Sequence, residues 1–229
     1  MSKKRQVRKK STQPLEQAQP VKKSGTFHFE FLNPQQKTAW KAIEENDIIF
    51  MKGKAGCGKT YISTAYAVQA LLTKKVKKIT LTRPIVEAGE SLGYLPGSFE
   101  EKVNPYIMPI YDSLDELVGK AGLQRDIVNH SLEIAPIAYL RGRTFTDAIC
   151  LFDEAQNASY TQLKLFLTRI GRNSKLIING DPEQSDLRGP VALEDVTKRI
   201  GNIPRICVLQ FDESAIVRHP LISSMLEKL

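Results

Sequence analysis

The sequence predicts a three-layer α/β fold, in which helices cover both faces of a mainly parallel, five-stranded sheet. Five short apolar runs are rich in β-branched residues and are continuous rather than alternating, which is typical of strands buried on both faces. Segments with helical spacing separate these runs, and such alternation favours parallel strands joined by right-handed crossovers. A glycine-rich segment lies between the first run and a periodic helix, where this class of fold commonly binds phosphate.

The predicted strands are Asp47–Met51, Lys78–Thr82, Ala148–Phe152, Lys175–Asn179 and Arg205–Leu209. The predicted helices are Pro34–Glu45, Lys59–Leu72 and Tyr160–Arg169. In the second helix, the apolar residues recur at the spacing of one helix face. The stretch Gly89–Pro109 contains Gly, Pro and polar residues without clear periodicity, so a functional or mobile loop is predicted there.

The net charge of +8 is concentrated at the N-terminus of the 229-residue chain. Residues 1–25 contain eight basic residues and one glutamate, a net +7, so the remaining 204 residues carry about +1. This segment is poor in large apolar residues, which predicts a disordered basic tail followed by one domain at 26–229. Such a tail binds phosphate backbones non-specifically or only aids solubility, and its composition is compatible with both roles.

Composition also indicates a compartment. No stretch approaches the roughly 20 apolar residues that span a bilayer, and no apolar segment follows the charged N-terminus as in a secretory signal. Cys57, Cys150 and Cys207 lack metal-type spacing, which favours reduced and mostly buried thiols. We therefore expect a cytoplasmic protein with no membrane partner.

Residues 53–60, GKAGCGKT, fit the phosphate-loop pattern G-x-x-x-x-G-K-[ST] completely. The glycines allow backbone N–H groups to turn inward, and the following helix adds its own free N–H groups. Lys59 is expected to reach the β- and γ-phosphates of ATP, and the Thr60 hydroxyl to bind Mg²⁺. The predicted ATP-binding residues are Gly53, Lys54, Ala55, Gly56, Cys57, Gly58, Lys59 and Thr60.

Two adjacent carboxylates, Asp153 and Glu154, end the strand AICLF. In a parallel sheet, ligands bind at the carboxyl ends of the strands, so these side chains are expected beside the phosphate loop. Asp153 is the candidate Mg²⁺ ligand, mainly through water, and Glu154 is the candidate that activates the attacking water. After the next strand, Gln184 is the favoured sensor of the γ-phosphate, with Asn179 or Asp181 as alternatives.

Several segments in order resemble the PhoH family of RecA-like P-loop ATPases. They are GKAGCGKT at 53–60, TRPIVEAGESLGYLPG at 82–97, PIAYLRGRTF at 136–145, DEAQN at 153–157, GDPEQSDL at 180–187 and VRHP at 217–220. The resemblance covers nearly all of Phe31–His219 and implies a single core domain similar to superfamily-one helicases.

The resemblance implies further roles. LNPQQ at 32–36 is similar to an adenine-reading segment, which makes Gln36 an adenine contact. Arg83 matches a segment that lies near nucleic acid, and Arg218 looks like an arginine finger. Only about twenty residues follow the last predicted strand, too few for a second core domain. We therefore expect Arg218 to act on a neighbouring subunit in a homo-oligomeric ring, for which the resemblance favours a hexamer.

Three functions compete at this point. The first is an Mg²⁺-dependent ATPase coupled to RNA or single-stranded nucleic acid, as in a helicase-like motor. The second is a nucleotide-dependent assembly switch or scaffold, in which ATP only sets the assembly state. The third is a small-molecule kinase, which the adjacent pair Asp153 and Glu154 disfavours because a second carboxylate suits activation of water better than transfer to an acceptor.

Overall fold

One parallel sheet organises the computed structural model, which describes residues 27–84, 99–121, 123–187 and 189–216. Its strands are β1 (Ile48–Lys52), β2 (Lys78–Thr82), β3 (Leu132–Ile134), β4 (Ala148–Phe152), β5 (Lys175–Gly180) and β6 (Ile206–Gln210). The helices are α1 (Pro34–Glu45), α2 (Lys59–Leu72), α3 (Phe99–Val118), α4 (Leu123–Ser131), α5 (Tyr160–Leu167) and α6 (Ala192–Ile200). The strand order is β3-β2-β4-β5-β1-β6, and every pairing is parallel.

The two faces of the sheet bury separate apolar cores. On β1, Ile49 and Met51 point into a core shared with α1 to α4, whereas Phe50 between them points into a core shared with α5 and α6. All three side chains are fully buried. A strand covered on both faces has no solvated side that requires polar residues, so its sequence is a continuous apolar run. The predicted three-layer arrangement is confirmed.

The prediction of five strands is wrong by one, because β3 pairs with β2 at the edge of the sheet. This strand has only three residues, and all of them are half-buried, so it leaves no apolar run in the sequence. The predicted loop Gly89–Pro109 is also wrong from Phe99 onward, where α3 begins. Pro105 and Pro109 interrupt the periodicity of this segment, since proline normally disfavours a helix interior. Residues 89–98 lie outside the described residues.

The segment before α1 is held by aromatic packing. The Phe29 ring stacks on Trp40 with 5.0 Å between centroids, and Trp40 meets Tyr66 of α2 edge-on at 4.9 Å. Asn33 caps α1 by accepting a hydrogen bond from the Gln36 backbone N–H. These contacts fix the start of α1 against α2, next to the segment at 53–60.

The predicted tail at residues 1–25 lies outside the described residues. Among the helices that the structure describes, none combines the length and the apolar character needed to cross a bilayer.

Candidate nucleotide site

The phosphate-loop segment connects the end of β1 to the first turn of α2. Gly56 and Gly58 have φ values of 89° and 77°, in the left-handed region that favours glycine. Gly58 is also the residue that precedes α2, and no side chain caps the helix there. The N–H groups of the first turn of α2 therefore remain for an anion, and the helix dipole adds to their attraction.

Lys59 is folded back over the loop. Its Nζ donates hydrogen bonds to the carbonyl oxygens of Gly53 and Lys54, at 2.5 and 2.9 Å. Burial lowers the pKa of Lys59, while the carboxylates of Asp181 and Asp153 act in the opposite direction. By contrast, the Lys54 side chain points outward and pairs with Glu213, so only its backbone is placed to face a phosphate.

The predicted metal-binding pair is brought together. Thr60 Oγ1 donates a hydrogen bond of 2.9 Å to Asp153 Oδ1, and Asn179 Nδ2 lies 3.4 Å from the same oxygen. Burial raises the pKa of Asp153, and the neighbouring Glu154 charge raises it further. Within the described ranges, no cluster of three His, Cys, Asp or Glu side chains could hold a metal by itself. A hydroxyl beside one carboxylate nevertheless fits Mg²⁺ that is also held by phosphate oxygens.

Glu154 is held in an unusual backbone conformation. Its φ of 53° and ψ of 40° lie in the left-handed region, which a non-glycine residue adopts at an energetic cost of about 1–3 kcal/mol. Its Oε1 accepts a hydrogen bond from Arg83 Nη2, and its Oε2 accepts one from Gln156 Nε2, both at 2.6 Å. The sheet explains the first contact, because Thr82 of β2 pairs with Phe152 of β4 and both chains continue in the same direction.

Gln36 is fully buried against the phosphate loop. Its Oε1 accepts a hydrogen bond from the Leu32 backbone N–H, whereas no described residue accepts one from its Nε2. A Cβ atom added to Gly58 would lie 2.3 Å from that Nε2. Such an unpaired buried donor suits a ligand with a hydrogen-bond acceptor, and an adenine ring has several.

The three candidate γ-phosphate sensors occupy different surroundings. Gln184 is exposed on the short turn Pro182–Gln184 and lines the cavity beside the loop. Asn179 and Asp181 are buried and committed to other contacts. Asp181 Oδ2 accepts the Ala55 N–H at 2.9 Å, which ties the end of β5 to the loop.

The remaining predicted site residues are placed as follows. Cys57 is fully buried, with Sγ at 3.9 Å from the Asp212 carbonyl oxygen, so its thiol faces the core rather than the cavity. Arg83 lines the same cavity as the loop. Arg218 lies outside the described residues.

A cavity of about 450 Å³ lies at the carboxyl edge of the sheet and is lined by the phosphate loop, both carboxylates, Arg83 and Gln184. Leu32, Tyr61 and Glu116 also line it. The lining thus combines groups that suit phosphate and metal with apolar side chains, at Leu32 and Tyr61, that suit a base.

Sequence reasoning assigned no role to two residues that organise the site. Gln156 belongs to the DEAQN segment, but its contact with Glu154 depends on the local turn Ala155–Asn157, which only the structure shows. Ser63 lies one helical turn after Lys59, and its Oγ lies 3.1 Å from Asn179 Oδ1. The spacing of four residues from the phosphate-loop lysine is the only signal that the sequence offers for Ser63.

Comparison with solved structures places the fold. The large terminase from a thermophilic bacteriophage aligns with a TM-score of 0.56 and 14% identity, over 87% of this chain and 50% of that chain. The same terminase in complex with ADP aligns with a TM-score of 0.54 and 13% identity, over 85% and 49% of the two chains. At such identities the likeness concerns the fold, and it confirms the RecA-like P-loop class.

Comparison of sequences gives the family. A PhoH-like protein of Bacillus subtilis is 47% identical over 188 residues, which are 81% of this chain and 59% of the relative. Protein PhoH of Escherichia coli is 44% identical over 193 residues, 82% of this chain and 54% of the relative. The chain thus spans just over half the length of these relatives. The family model described as PhoH-like protein matches residues 29–229, and the chain therefore belongs to the PhoH-like protein family.

Proposed function

We propose that the chain binds ATP with Mg²⁺ at the carboxyl edge of its sheet and hydrolyses it, in a manner coupled to RNA or single-stranded nucleic acid. The observation that carries the proposal is the contact of 2.9 Å between Thr60 Oγ1 and Asp153 Oδ1, with Glu154 next in the chain. It joins a complete phosphate loop to a metal-binding carboxylate and to a second carboxylate that can act as a base. The ADP complex of the terminase, which shares the fold, is compatible with a nucleotide at this position.

Each residue has a separate role in the proposed reaction. Lys59 leaves the loop carbonyls and donates to the β- and γ-phosphates, while Thr60 and Asp153 hold the metal. When bound, Mg²⁺ neutralises phosphate charge. A bond forms between a water oxygen and the γ-phosphorus, and the bond from that phosphorus to the β-phosphate oxygen breaks with its electron pair leaving on ADP. Glu154 accepts the proton of the water.

The base is proposed to lie toward Leu32 and Tyr61, where Gln36 Nε2 supplies a donor. Gln184 is proposed to follow the γ-phosphate, because it is exposed to the cavity and its side chain is less constrained than those of Asn179 and Asp181.

Nucleic acid is the proposed partner because Arg83 lines the cavity beside Glu154 and the N-terminal segment is strongly basic. A ring of identical subunits, in which Arg218 reaches a neighbouring active site, belongs to the same proposal. Mass measurement with an ATP analogue and Mg²⁺ tests the ring, since a monomer with full ATPase activity contradicts it.

The proposed reaction is tested by following ATP loss and free phosphate together, with Mg²⁺ and at low salt, with and without RNA or single-stranded DNA. We expect equal amounts of ATP lost and phosphate released, and a faster rate with one of the polymers. ATP loss without matching phosphate indicates a kinase, and binding without turnover indicates an assembly switch. Lys59→Ala should abolish turnover, while the control Lys175→Ala, at the opposite edge of the sheet, should leave it unchanged.

A further inference from the structure

Both carboxylate oxygens of Glu154 are engaged by other side chains. Arg83 Nη2 donates to Oε1 and Gln156 Nε2 donates to Oε2, each at 2.6 Å. A general base must accept a proton from water through one of its oxygen lone pairs, and a guanidinium that occupies this oxygen blocks it.

The two residues that hold Glu154 differ in how exposed they are. Gln156 is 2% exposed, its Oε1 accepts the Asp181 N–H at 3.0 Å, and its carbonyl oxygen accepts Ser185 Oγ at 3.1 Å. Gln156 is therefore locked to the end of β5. Arg83 follows the last residue of β2, and its side chain is 22% exposed at the cavity wall. A partly exposed guanidinium at a cavity wall is accessible to an anion in that cavity.

We propose that Arg83 is a positioning residue that restrains Glu154 until a nucleic-acid phosphate takes over its guanidinium. The inference rests on the proposed function and names the regulation of the same site. A phosphodiester offers Arg83 two oxygens in the geometry that a guanidinium binds best. Once Arg83 pairs with the strand, Glu154 keeps only the Gln156 contact, which orients it while Oε1 becomes available to the attacking water. Glu154 and the strand thus compete for the Arg83 guanidinium, and the strand shifts the balance away from Glu154.

A purely structural role for Arg83 makes a different prediction. Its charge offsets the repulsion between Asp153 and Glu154, two adjacent carboxylates of which the first is buried. If this were its whole contribution, loss of the arginine would lower stability and metal affinity, and hydrolysis without nucleic acid would fall or stay constant. Restraint of Glu154 predicts the opposite sign, because removing the restraint raises the rate without nucleic acid.

The test measures kcat and KM for ATP in Arg83→Ala and Arg83→Gln, with and without a single-stranded RNA or DNA that stimulates the full chain. We expect kcat without the strand to rise about three- to tenfold, KM to stay within a factor of two of the full chain, and stimulation by the strand to disappear. Arg83→Lys keeps a cation beside Glu154 and should keep the low unstimulated rate. Thermal unfolding of each variant confirms that it is folded, and the glutamine variant preserves side-chain volume if the alanine variant is unstable.

Arg199→Ala is the matched control, because Arg199 also forms an ion pair, with Asp195, but lies on the exposed surface of α6. It should leave both rates unchanged. The inference is overturned if the Arg83 variants show an unstimulated kcat equal to or below that of the full chain, whether or not stimulation survives. Failure of the proposed function gives a separate signature, since the full chain itself would then release no phosphate, or Glu154→Gln would release it as fast.

Discussion

The two ends of the sheet carry cavities that differ in size and in chemistry. The cavity at the amino ends of the strands is larger, at about 810 Å³, and is lined by residues such as Tyr66, Lys75, Lys175 and Arg205. The cavity at the carboxyl ends measures about 450 Å³ and contains the phosphate loop. Cavity volume alone would place the ligand-binding site at the amino ends of the strands.

The surroundings of the polar groups separate the two ends. At the amino end, Arg205 pairs with Asp47, and Lys175 Nζ donates to the carbonyl oxygens of Glu44 and Asn46. At the carboxyl end, Asp153 is a buried carboxylate whose pKa is raised by burial, and Gln36 Nε2 has no acceptor among the described residues. A left-handed backbone occurs at both ends, at Glu154 here and at Asn173 and Arg205 in the amino-end cavity. A buried carboxylate beside a phosphate loop, together with a buried donor that has no described acceptor, identifies the functional end better than volume does.

The largest expected difference between the ends comes from one carboxylate-to-amide change. Glu154→Gln keeps the size of the side chain but removes the proposed base, so ATP turnover should fall by about two to four powers of ten. ATP affinity should stay within a few-fold, because Glu154 contacts Arg83 and Gln156 rather than the loop. The control Glu45→Gln alters an exposed residue at the end of α1 and should change neither quantity. Equal turnover in the two variants would contradict the assignment of Glu154.

The next prediction compares alanine substitutions at two glycines with the same φ, one in the phosphate loop and one outside it. Gly58 and Gly142 both have φ of 77°, so alanine at either position costs about 1 kcal/mol in backbone strain. At Gly58 the added methyl also meets the fully buried Gln36, whereas nothing lies within 4 Å of the added Cβ at Gly142. Gly58→Ala should therefore lower the free energy of unfolding by about 2–4 kcal/mol and weaken ATP binding.

Chemical denaturation with and without ATP measures both the stability and the ATP binding of Gly58→Ala. Gly142→Ala supplies the control. It should cost only the backbone strain and leave ATP binding intact. An equal loss of stability in the two variants would show that Gln36 yields easily and is not rigidly held against the loop.

A smaller effect of opposite sign is expected at Asp153. Burial raises the pKa of this carboxyl, so the folded chain holds its proton more tightly than the unfolded chain does. Stability is then lost as pH rises through the raised pKa, and the ionised carboxylate is a cost at neutral pH. Asp153→Asn should raise the free energy of unfolding by about 1 kcal/mol at neutral pH and abolish Mg²⁺-dependent turnover.

Thermal unfolding across pH tests this expectation. The stabilisation should vanish in acid, below the usual pKa of an aspartate, where Asp153 is protonated in both folded and unfolded chains. A variant that is less stable than the natural chain at neutral pH would mean that the hydrogen bonds from Thr60 and Asn179 outweigh the cost of burying the charge.

The smallest expected effect lies at the amino end, at Asp47. The hydrogen bond from Arg205 holds the pKa of Asp47 below its usual range, so this carboxylate stabilises the fold above that range and loses its contribution as pH falls through the lowered pKa. Because the side chain is a third exposed, solvent screens the pair, and Asp47→Asn should cost at most about 1 kcal/mol at neutral pH. Its pH dependence should run opposite to that of Asp153→Asn, and ATP turnover should be unaffected.

Much of the fold could be predicted because each strand that is buried on both faces leaves a continuous apolar run in the sequence. The five predicted strands each have two covered faces, or a length sufficient to leave an apolar run, whereas β3 is a three-residue edge strand stabilised by its pairing with β2. Helix α3 was not predicted at all, because Pro105 and Pro109 in its first half contradict local helix preference. Its later residues Ile110, Leu114 and Leu117 are buried in the core beside α2, so tertiary packing offsets that preference.

The same distinction applies to the site. The loop at 53–60 is one continuous stretch of sequence, and Asp153 and Glu154 are neighbours in another. A role could therefore be assigned to each stretch from the sequence alone. The contact between Arg83 and Glu154 spans 71 positions and exists because β2 lies beside β4, a neighbour relation that the strand patterns do not encode. The left-handed conformation of Glu154 likewise has no signal in a residue type that rarely adopts it.

The position of the bound nucleotide is the central claim, and photo-cross-linking with 8-azido-ATP and Mg²⁺, followed by mapping of the labelled peptides, tests it most directly. The reactive group sits on the base, so we predict label near Leu32, Gln36 or Tyr61, with protection by excess ATP and loss of labelling in Lys59→Ala. Protectable label confined to 170–175 or to Arg205 would place the nucleotide in the larger cavity at the amino ends and would contradict the proposed site.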